Sequence, residues 1–419
     1  MTCQIIHGDC KTELQNLINA GIKVDSIVTD PPYELGFMNK KWDNTGIAYD
    51  VEMWTLCLEI LKPGGHLLSF GGSRTYHRMA CAIEDAGFEI RDQIMWIYGQ
   101  GFPKSLDISK AIDKMKGAER TEFYTIPEAY PDSGCWSIHH KNSKGNNIGF
   151  QTQGSSTVRK DQNGNGNTIK SIPKTDLAKQ WDGWGTALKP AHEPIVLARK
   201  PLSEKTVAEN VIKHGTGGIN IDRCRVNVNK DIELRYDLEQ SLYQLYNTKF
   251  KHGLAFGDTC KKNPDFLNKG RFPANLIHDG SDEVEEKFAK YGESKSCIRS
   301  GGDELKKIQD KELKYGYKVR HSGGFTDNGT PSRFFYSSKA SAKDRQGSKH
   351  PTIKPLSLMR YLCRLITPPN GTILDHFAGT GTTGQAALEE SFKAILIEKE
   401  DEYIQDINKR MNSIVKTLF

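Results

Sequence analysis

At 419 residues the chain is long enough for two or three domains with full hydrophobic cores, which excludes a peptide or mini-scaffold. Hydrophobic residues make up 37% and charged residues 26%, and no stretch approaches the roughly 20 uninterrupted apolar residues of a membrane span. The net charge of +6 is uneven: residues 1–99 carry 8 lysines and arginines against 13 acids, 100–190 carry 13 against 9, and 200–350 carry 28 against 21. A basic middle between acidic or neutral ends points to a nucleic-acid surface built from inserted segments, the plainer alternative being a solvated face.

In chain order, Gln4 to Ile6 reads as a strand, Thr12 to Ala20 as a helix stopped by Gly21, and Asp25 to Thr29 as a strand running into Asp30-Pro31-Pro32-Tyr33. Apolar residues from Val51 to Leu61 predict a largely buried helix ended by Lys62-Pro63-Gly64-Gly65. A strand over His66 to Phe70, a helix over Arg74 to Ala86 and a strand over Glu89 to Tyr98 follow. This alternation is the pattern of a parallel sheet covered on both faces. It breaks at Lys141 to Thr168, a polar run expected to form a mobile loop. Glu193 to Ala198, flanked by Pro190 and Pro201, is expected as an antiparallel edge strand beside Glu89 to Tyr98.

Residues 202–345 read as short helices and turns of a second domain. The alternation then returns: helix Leu356 to Ile366, strand Thr372 to Asp375, helix Thr382 to Glu390, strand Ala394 to Ile397 and helix Asp401 to Asn412. The division expected is a first half at 1–100, an insertion at 101–190, the edge strand at 191–201, a second domain at 202–345 and a second half at 346–419. Nine scattered cysteines without a C-x-x-C pair read as reduced thiols and predict no metal site. Met1 to Asp9 has no basic region followed by an apolar core, so a cytoplasmic location is expected.

Two constellations carry chemistry. The first is the turn Asp375-His376-Phe377-Ala378-Gly379-Thr380-Gly381-Thr382-Thr383 between a strand and a helix. Its glycines let the backbone approach a ligand, and the helix N-terminus favours an anionic group such as a carboxylate. Glu398 ends the next strand, where a carboxylate can accept from two ribose hydroxyls, so the pair describes a nucleoside-cofactor pocket. The plainer reading is a tight turn that needs small residues. A full G-x-G-x-x-G spacing is missing, which favours S-adenosylmethionine over a dinucleotide.

The second constellation is Asp30-Pro31-Pro32-Tyr33 at the carboxyl end of a strand, where open α/β sheets place ligands. The Asp30 carboxylate and the Pro31 carbonyl can both accept from one amino group, and Tyr33 offers a flat face to a base. That geometry would aim an exocyclic amine at an electrophilic methyl.

With these residues and His350-Pro351-Thr352-Ile353-Lys354-Pro355, the chain resembles the S-adenosylmethionine-dependent DNA amino-methyltransferases in the permuted order, catalytic motif before cofactor motif. The resemblance covers about 1–100 and 345–410. It implies an α/β fold, with a seven-stranded Rossmann-like methyltransferase sheet assembled from both ends of the chain and inserted target-recognition segments. It makes Asp30, Pro31, Pro32 and Tyr33 the catalytic set. Phe377, Gly379, Gly381 and Thr382, with Asp375 before them, would hold the methionine end of the cofactor. Glu398 would sit on the ribose, Asp9 on the adenine amino group, and Thr352 and Lys354 would close the pocket, although Asp9 also reads as a helix N-cap.

The motif DPPY resembles the N6-adenine version, while N4-cytosine enzymes more often have Ser first. The implied partner is double-stranded DNA, and a homodimer is allowed. Lys249, Lys251, Lys261, Lys262, Arg271 and Arg333 are candidate phosphate contacts. His139-His140 read as a surface loop, and Trp181 to Trp184 as packing against the Lys189-Pro190 turn. Two other readings stand beside these: a catalytically silent DNA-binding protein, and a protein-glutamine methyltransferase, which typically has Asn first. No nuclease motif is recognisable, so a solitary or phage-type methyltransferase fits better than a fused restriction enzyme.

Overall fold

The computed structural model describes residues 2–35, 43–99, 101, 105–126, 140–141, 147–148, 157–160, 166–226, 270–295, 328–338, 344, 348 and 353–418. Thr352, His139, Lys249, Lys251, Lys261 and Lys262 lie outside them. The chain divides into one compact unit of Met1–Gln100 with Ala191–Phe419 and another of Gly101–Pro190.

The larger unit is built on one sheet. In chain order its strands are β1 (Cys3–His7), β2 (Val24–Thr29), β3 (Leu61–Phe70), β4 (Glu89–Ile97), β5 (His192–Arg199), β6 (Leu276–His278), β7 (Tyr336–Ser337), β8 (Thr372–Asp375) and β9 (Lys393–Glu398). They lie in the order β1-β9-β8-β2-β3-β5-β4-β6-β7. Among the described strands of this sheet, only β5 runs antiparallel to its neighbours. The eight parallel strands therefore bring their carboxyl ends to one edge of the sheet.

Every residue of β2 is buried, as expected of a central parallel strand covered on both faces. Successive side chains point to opposite faces, so Ile27 joins a core with α1 (Cys10–Asn19), α2 (Val51–Ile60) and α3 (Tyr76–Asp85). Val28 joins the opposite core. That core is covered by the later helices: α4 is Val207–His214, α5 Asp282–Ala289, α6 Leu356–Ile366, α7 Thr382–Glu389 and α8 Asp401–Leu418, of which α6, α7 and α8 supply the packing.

The two ends of the sequence are also joined by buried polar bonds. Asp25 takes the Lys62 ammonium at 2.6 Å and the Thr372 N–H at 2.7 Å, and the hydroxyls of Ser26 and Thr367 meet at 2.8 Å.

Two expectations are corrected. Among the described residues the sheet has nine strands rather than seven, because residues 202–345 lend it β6 and β7 at one edge. The segment expected as an edge strand is interior: β5 lies between β3 and β4. Its Pro194 is tolerated because it sits where the β3 ladder ends, its carbonyl accepting from Gly71 N–H at 2.9 Å, so its missing N–H breaks no ladder bond. In the smaller unit Thr157–Lys160 pairs with Gly166–Ser171, which pairs in turn with Phe123–Ile126; most of the run 141–168 expected as a mobile loop lies outside the described residues.

The smaller unit also contains the helices Ile108–Met115 and Asp176–Gln180, tied by Asp113. Its carboxylate accepts from Arg120 Nε at 2.6 Å and from the Lys174 and Thr175 N–H groups. Burial alone would raise its pKa, but these donors hold it well below the usual carboxylate range. Trp181 and Trp184 pack edge-to-face on each other, ring centroids 5.0 Å apart, and Trp184 stays 60% exposed.

His66 on β3 gives the larger unit a pH dependence. Burial, with Arg199 and Arg91 nearby, pushes its pKa from 6.5 down to about 4. The unfolded chain therefore binds a proton that the folded chain refuses. Stability is complete above pH 6.5 and falls by about 3 kcal/mol as pH drops to 4. Urea unfolding at pH 7 and pH 4.5 should show His66→Gln losing less stability on acidification than the wild type; equal losses would remove this residue as the cause.

Candidate active site at the carboxyl edge of the sheet

A cavity of about 440 Å³ opens at the carboxyl ends of β1, β2, β8 and β9. It collects most of the residues singled out from the sequence: Asp9, Asp30, Pro31, Pro32, Tyr33, Lys354, Asp375, Phe377, Gly379, Thr382 and Glu398 all line it. Gly381 does not line it and acts on the shape of the loop.

The Gly-rich turn is held from several sides. The Asp375 carboxylate is buried and accepts from the Thr29 hydroxyl at 2.8 Å, the Thr383 hydroxyl at 2.6 Å and the Phe377 N–H at 3.1 Å. Burial raises its pKa to about 6 against the pull of those donors. Glu398 accepts from Gly379 N–H at 2.7 Å and from the N–H groups of Lys399 and Glu400, each at 2.9 Å; burial nonetheless raises its pKa. The fully buried Arg410 donates to the Thr380 carbonyl at 2.9 Å and to Gln385 Oε1 at 2.8 Å. Gly379 and Gly381 have φ of +52° and +78°, and a Cβ on Gly381 would lie 3.1 Å from Ile407. A side chain at 381 would therefore be strained by the backbone and crowded by α8.

Within the turn, His376 packs edge-to-face against Trp54 and lies 3.5 Å from the Cys57 sulfur. Burial lowers its pKa to about 3, so it stays neutral. Asp9 is the N-cap of α1, accepting from Lys11 N–H at 3.1 Å, and it also borders the cavity.

The Asp30-Pro31-Pro32-Tyr33 segment leaves β2 and is fixed by the Thr75 hydroxyl, which donates to the Tyr33 carbonyl at 2.8 Å. Glu34 follows in the left-handed region at φ 54°, its N–H bonded to Asp43. Lys354 comes from the segment just before α6, and its ammonium donates to Asp30 Oδ2 at 2.7 Å and reaches Glu193 Oε2 at 3.3 Å. It lies 5.2 Å from the Tyr33 ring centroid and 4.9 Å from that of Phe70. Burial alone would lower its pKa, but the two carboxylates hold it above the ordinary lysine value. The Tyr33 hydroxyl donates to Glu193 Oε2 at 2.7 Å, and burial together with Asp30 and Glu193 pushes its pKa well up. Asp30 Oδ1 is buried and has no hydrogen-bond partner among the described residues.

Glu193 is the residue that sequence reading missed. In the sequence it is only the first residue of the expected strand Glu193 to Ala198. Only the interior position of β5, which carries it beside β3 and β4, turns it toward Tyr33 and Lys354. Thr29 was missed for a similar reason: its bond to Asp375 joins residues 346 positions apart in sequence.

An open, mostly parallel sheet with a nucleoside-sized cavity at its carboxyl edge defines an α/β protein of the methyltransferase fold class. The chain belongs to the DNA methylase family of N6/N4 methyltransferases, whose profile matches residues 24–409. Among similar curated proteins, the Type II methyltransferase M.BglI of Bacillus subtilis is 45% identical over 69 residues, 16% of this chain and 20% of that enzyme. M2.LlaDCHI of Lactococcus lactis subsp. cremoris is 32% identical over 103 residues, 25% of this chain and 38% of that enzyme. M.HinfI of Haemophilus influenzae is 42% identical over 77 residues, 18% and 21% respectively. The chain thus spans well under half the length of these relatives. Among solved structures, the M1.HpyAVI–SAM complex aligns with 98% of this chain and 100% of its own at 16% identity and a TM-score of 0.41. The cytosine-N4-specific PvuII DNA methyltransferase aligns with 98% and 86% at 14% identity and a TM-score of 0.41.

Members of this family use S-adenosylmethionine, and the cavity fits it. Six acids, Asp9, Asp30, Asp43, Asp375, Glu398 and Glu400, border the space against two lysines, Lys354 and Lys399, which suits a cationic ligand. Apolar walls from Ile47, Ile353, Phe377 and Ile397 suit a flat base, and the volume lies in the range of small-molecule sites.

Removing one member of the cluster should leave charge stranded in the interior. Lys354→Met is expected to cost about 3–5 kcal/mol because Asp30 and Glu193 lose their counter-ion. In an Asp30→Asn, Glu193→Gln background the same change should cost far less. Urea denaturation of the four proteins measures both; equal costs in the two backgrounds would show that the ion cluster is not what Lys354 stabilises.

Proposed function

We propose that the chain is a site-specific DNA methyltransferase, with motifs in the permuted order, that transfers a methyl group from S-adenosylmethionine to the N6 amine of an adenine flipped out of double-stranded DNA. The observation that carries this reading is the state of Asp30. One carboxylate oxygen is committed to Lys354, and the other is buried without a partner beside the Tyr33 ring and the cavity. A buried acceptor left open costs about 1–3 kcal/mol, which is recovered when a donor arrives. An exocyclic amine is such a donor.

When bound, the cofactor supplies a methyl group on a positively charged sulfonium. Every other part of the chemistry falls to the chain. Tyr33 stacks on the extruded base, whose removal from the duplex costs a few kcal/mol. Its hydroxyl, fixed by Glu193, keeps the ring from rotating away. Asp30 Oδ1 and the Pro31 carbonyl accept the two amino hydrogens and direct the nitrogen toward the cavity. As that nitrogen gains positive charge, two carboxylates around one ammonium leave the site with a surplus negative charge to stabilise it. The nitrogen loses its proton after methylation, so no strong base is needed before attack.

Asp9, Glu398, Phe377, Gly379, Thr382, Thr352 and Lys354 form the cofactor set, with Asp375 and Gly381 shaping the loop. The first residue of the motif, Asp30 rather than Ser, favours adenine over cytosine. Double-stranded DNA is the partner and the cytoplasm the place of action.

Incubation of the purified chain with unmethylated DNA and S-adenosylmethionine, followed by nucleoside mass spectrometry, should yield N6-methyladenine. N4-methylcytosine would overturn the base assignment and keep the rest. Asp30→Ala should reduce turnover below detection while the cofactor dissociation constant, read by calorimetry, stays within a few-fold of wild type. Retained turnover would overturn the role given to Asp30.

A further inference from the structure

Arg410 of α8 is not among the residues that line the large cavity, yet its guanidinium reaches the turn that does. The residue is 2% exposed. Its Nε donates to the Thr380 carbonyl at 2.9 Å, one terminal nitrogen to Gln385 Oε1 at 2.8 Å, and the other to the Asp344 carbonyl at 2.9 Å. All three acceptors are neutral oxygens, and they belong to three separate stretches: the glycine turn, α7 and the chain before α6.

A buried cation held in this way is expensive. Burial pulls its pKa below the ordinary arginine value, with the charges of Asp344 and Asp406 opposing the effect. Apolar packing of the same volume is often as stable or more so, which makes geometry rather than stability the gain from such a group. The geometry is that of a rigid planar fork with donors spread over three nitrogens, which no other side chain reproduces.

The helix aims that fork at the turn. Tyr403, Ile407 and Arg410 stand at i, i+4 and i+7 and so share one face of α8. Tyr403 lines the cavity, Ile407 lies where a Cβ on Gly381 would come within 3.1 Å, and Arg410 completes the row at Thr380. Thr380 itself borders the cavity, and its carbonyl belongs to the peptide that leads into Gly381 and the start of α7. The third bond reaches the other wall. The Asp344 carboxylate accepts from Leu356 N–H at 3.4 Å, two residues after Lys354, which also borders the cavity. One side chain therefore fixes the turn and is tied to the segment that brings Lys354.

We propose that Arg410 is a positioning residue for the cofactor: without touching S-adenosylmethionine, it holds the Thr380–Gly381 backbone in the conformation that receives the methionine end. The proposal rests on the turn being the seat of the cofactor. Its effect falls on cofactor affinity and not on the binding of DNA.

Calorimetry with S-adenosylmethionine and anisotropy with a fluorescent duplex in the absence of cofactor, both on the full chain, separate the two effects. Arg410→Lys keeps the charge but puts one ammonium where three nitrogens reached three oxygens. It should weaken the cofactor about tenfold, the scale on which a displaced site loses function, while the duplex dissociation constant stays within about twofold. Arg410→Ala should weaken the cofactor further, and added methylguanidinium should restore part of that loss without changing the wild type. If circular dichroism shows Arg410→Ala unfolded, Arg410→Lys alone decides. Glu398→Gln, which alters the other anchor of the turn, is the reference. Wild-type cofactor affinity in folded Arg410→Lys, with Glu398→Gln weakened, overturns the role given to Arg410 and leaves the cofactor seat standing. Wild-type affinity in both variants overturns the seat and the proposal with it. Equal losses of cofactor and duplex affinity in Arg410→Lys would make the residue a general support of the fold and overturn the proposal.

Discussion

The contact on which the site depends is the ion pair between Lys354 and Asp30, which joins residues 324 positions apart in sequence. Asp30 leaves the end of β2 in the first hundred residues, and Lys354 stands just before α6 near the other end of the chain. Glu193, from the interior strand β5, takes the remaining side of the same ammonium. One buried cation thus holds three segments in register. The pairings of Asp25 with Thr372, Ser26 with Thr367 and Thr29 with Asp375 extend the same join along β2. The cavity cannot form from either end of the sequence alone, since its two motifs are brought together by this polar seam.

Such a cluster is a poor device for stability. Burying charges costs more than an apolar packing of the same volume, and the gain from pairing often only offsets that loss. The unpartnered Asp30 oxygen adds a further cost. These costs are confined to the mouth of the cavity, while the two cores on either side of the sheet are apolar and closely filled. This distribution is what a preorganised polar site looks like: donors and acceptors are fixed before the substrate arrives, so little rearrangement is needed when charge develops. The strain at Glu34, which directly follows the motif, belongs to the same pattern.

Much of this was legible in the sequence, for identifiable reasons. The apolar runs of β2, β3, β8 and β9 and the periodicity of α2 and α6 report burial directly, so these elements fell within a few residues of their places. Asp30 to Tyr33 and the turn 375–383 could be read because proline and glycine restrict or release the backbone in ways visible one residue at a time. What was not legible depended on partners. Glu193 is an ordinary strand acid until β5 is known to be interior, and the flanking Pro190 and Pro201 argued for an edge. Pro194 within the strand does not prevent an interior place because it lies where the β3 ladder ends, its carbonyl accepting from Gly71 N–H, and no sequence pattern reports that. The strands β6 and β7, three and two residues long, are too short for any period to register. Asp375 shows another limit: it borders the cavity, but its oxygens accept from Thr29, Thr383 and Phe377, contacts that no local pattern reports.

The parallel sheet also explains why the order of the motifs along the chain is free to vary. A ligand at the carboxyl edge meets strand ends, and those ends are brought together by lateral pairing. β1, the first strand, pairs with β9, the last, over five residues, and β8 pairs with β2. The Asp30–Tyr33 segment after β2 and the glycine turn after β8 are therefore side by side, although the first begins at residue 30 and the second at residue 375. Moving the chain's ends to another pair of neighbouring helices would change which motif is read first and leave every contact at the edge intact. What the site does require is that β5 run antiparallel between β3 and β4. A parallel β5 would present its opposite end at the edge and carry Glu193 away from Tyr33 and Lys354. The single reversed strand is thus the topological feature that completes the polar cluster, and the sheet order is constrained there by chemistry as well as by packing.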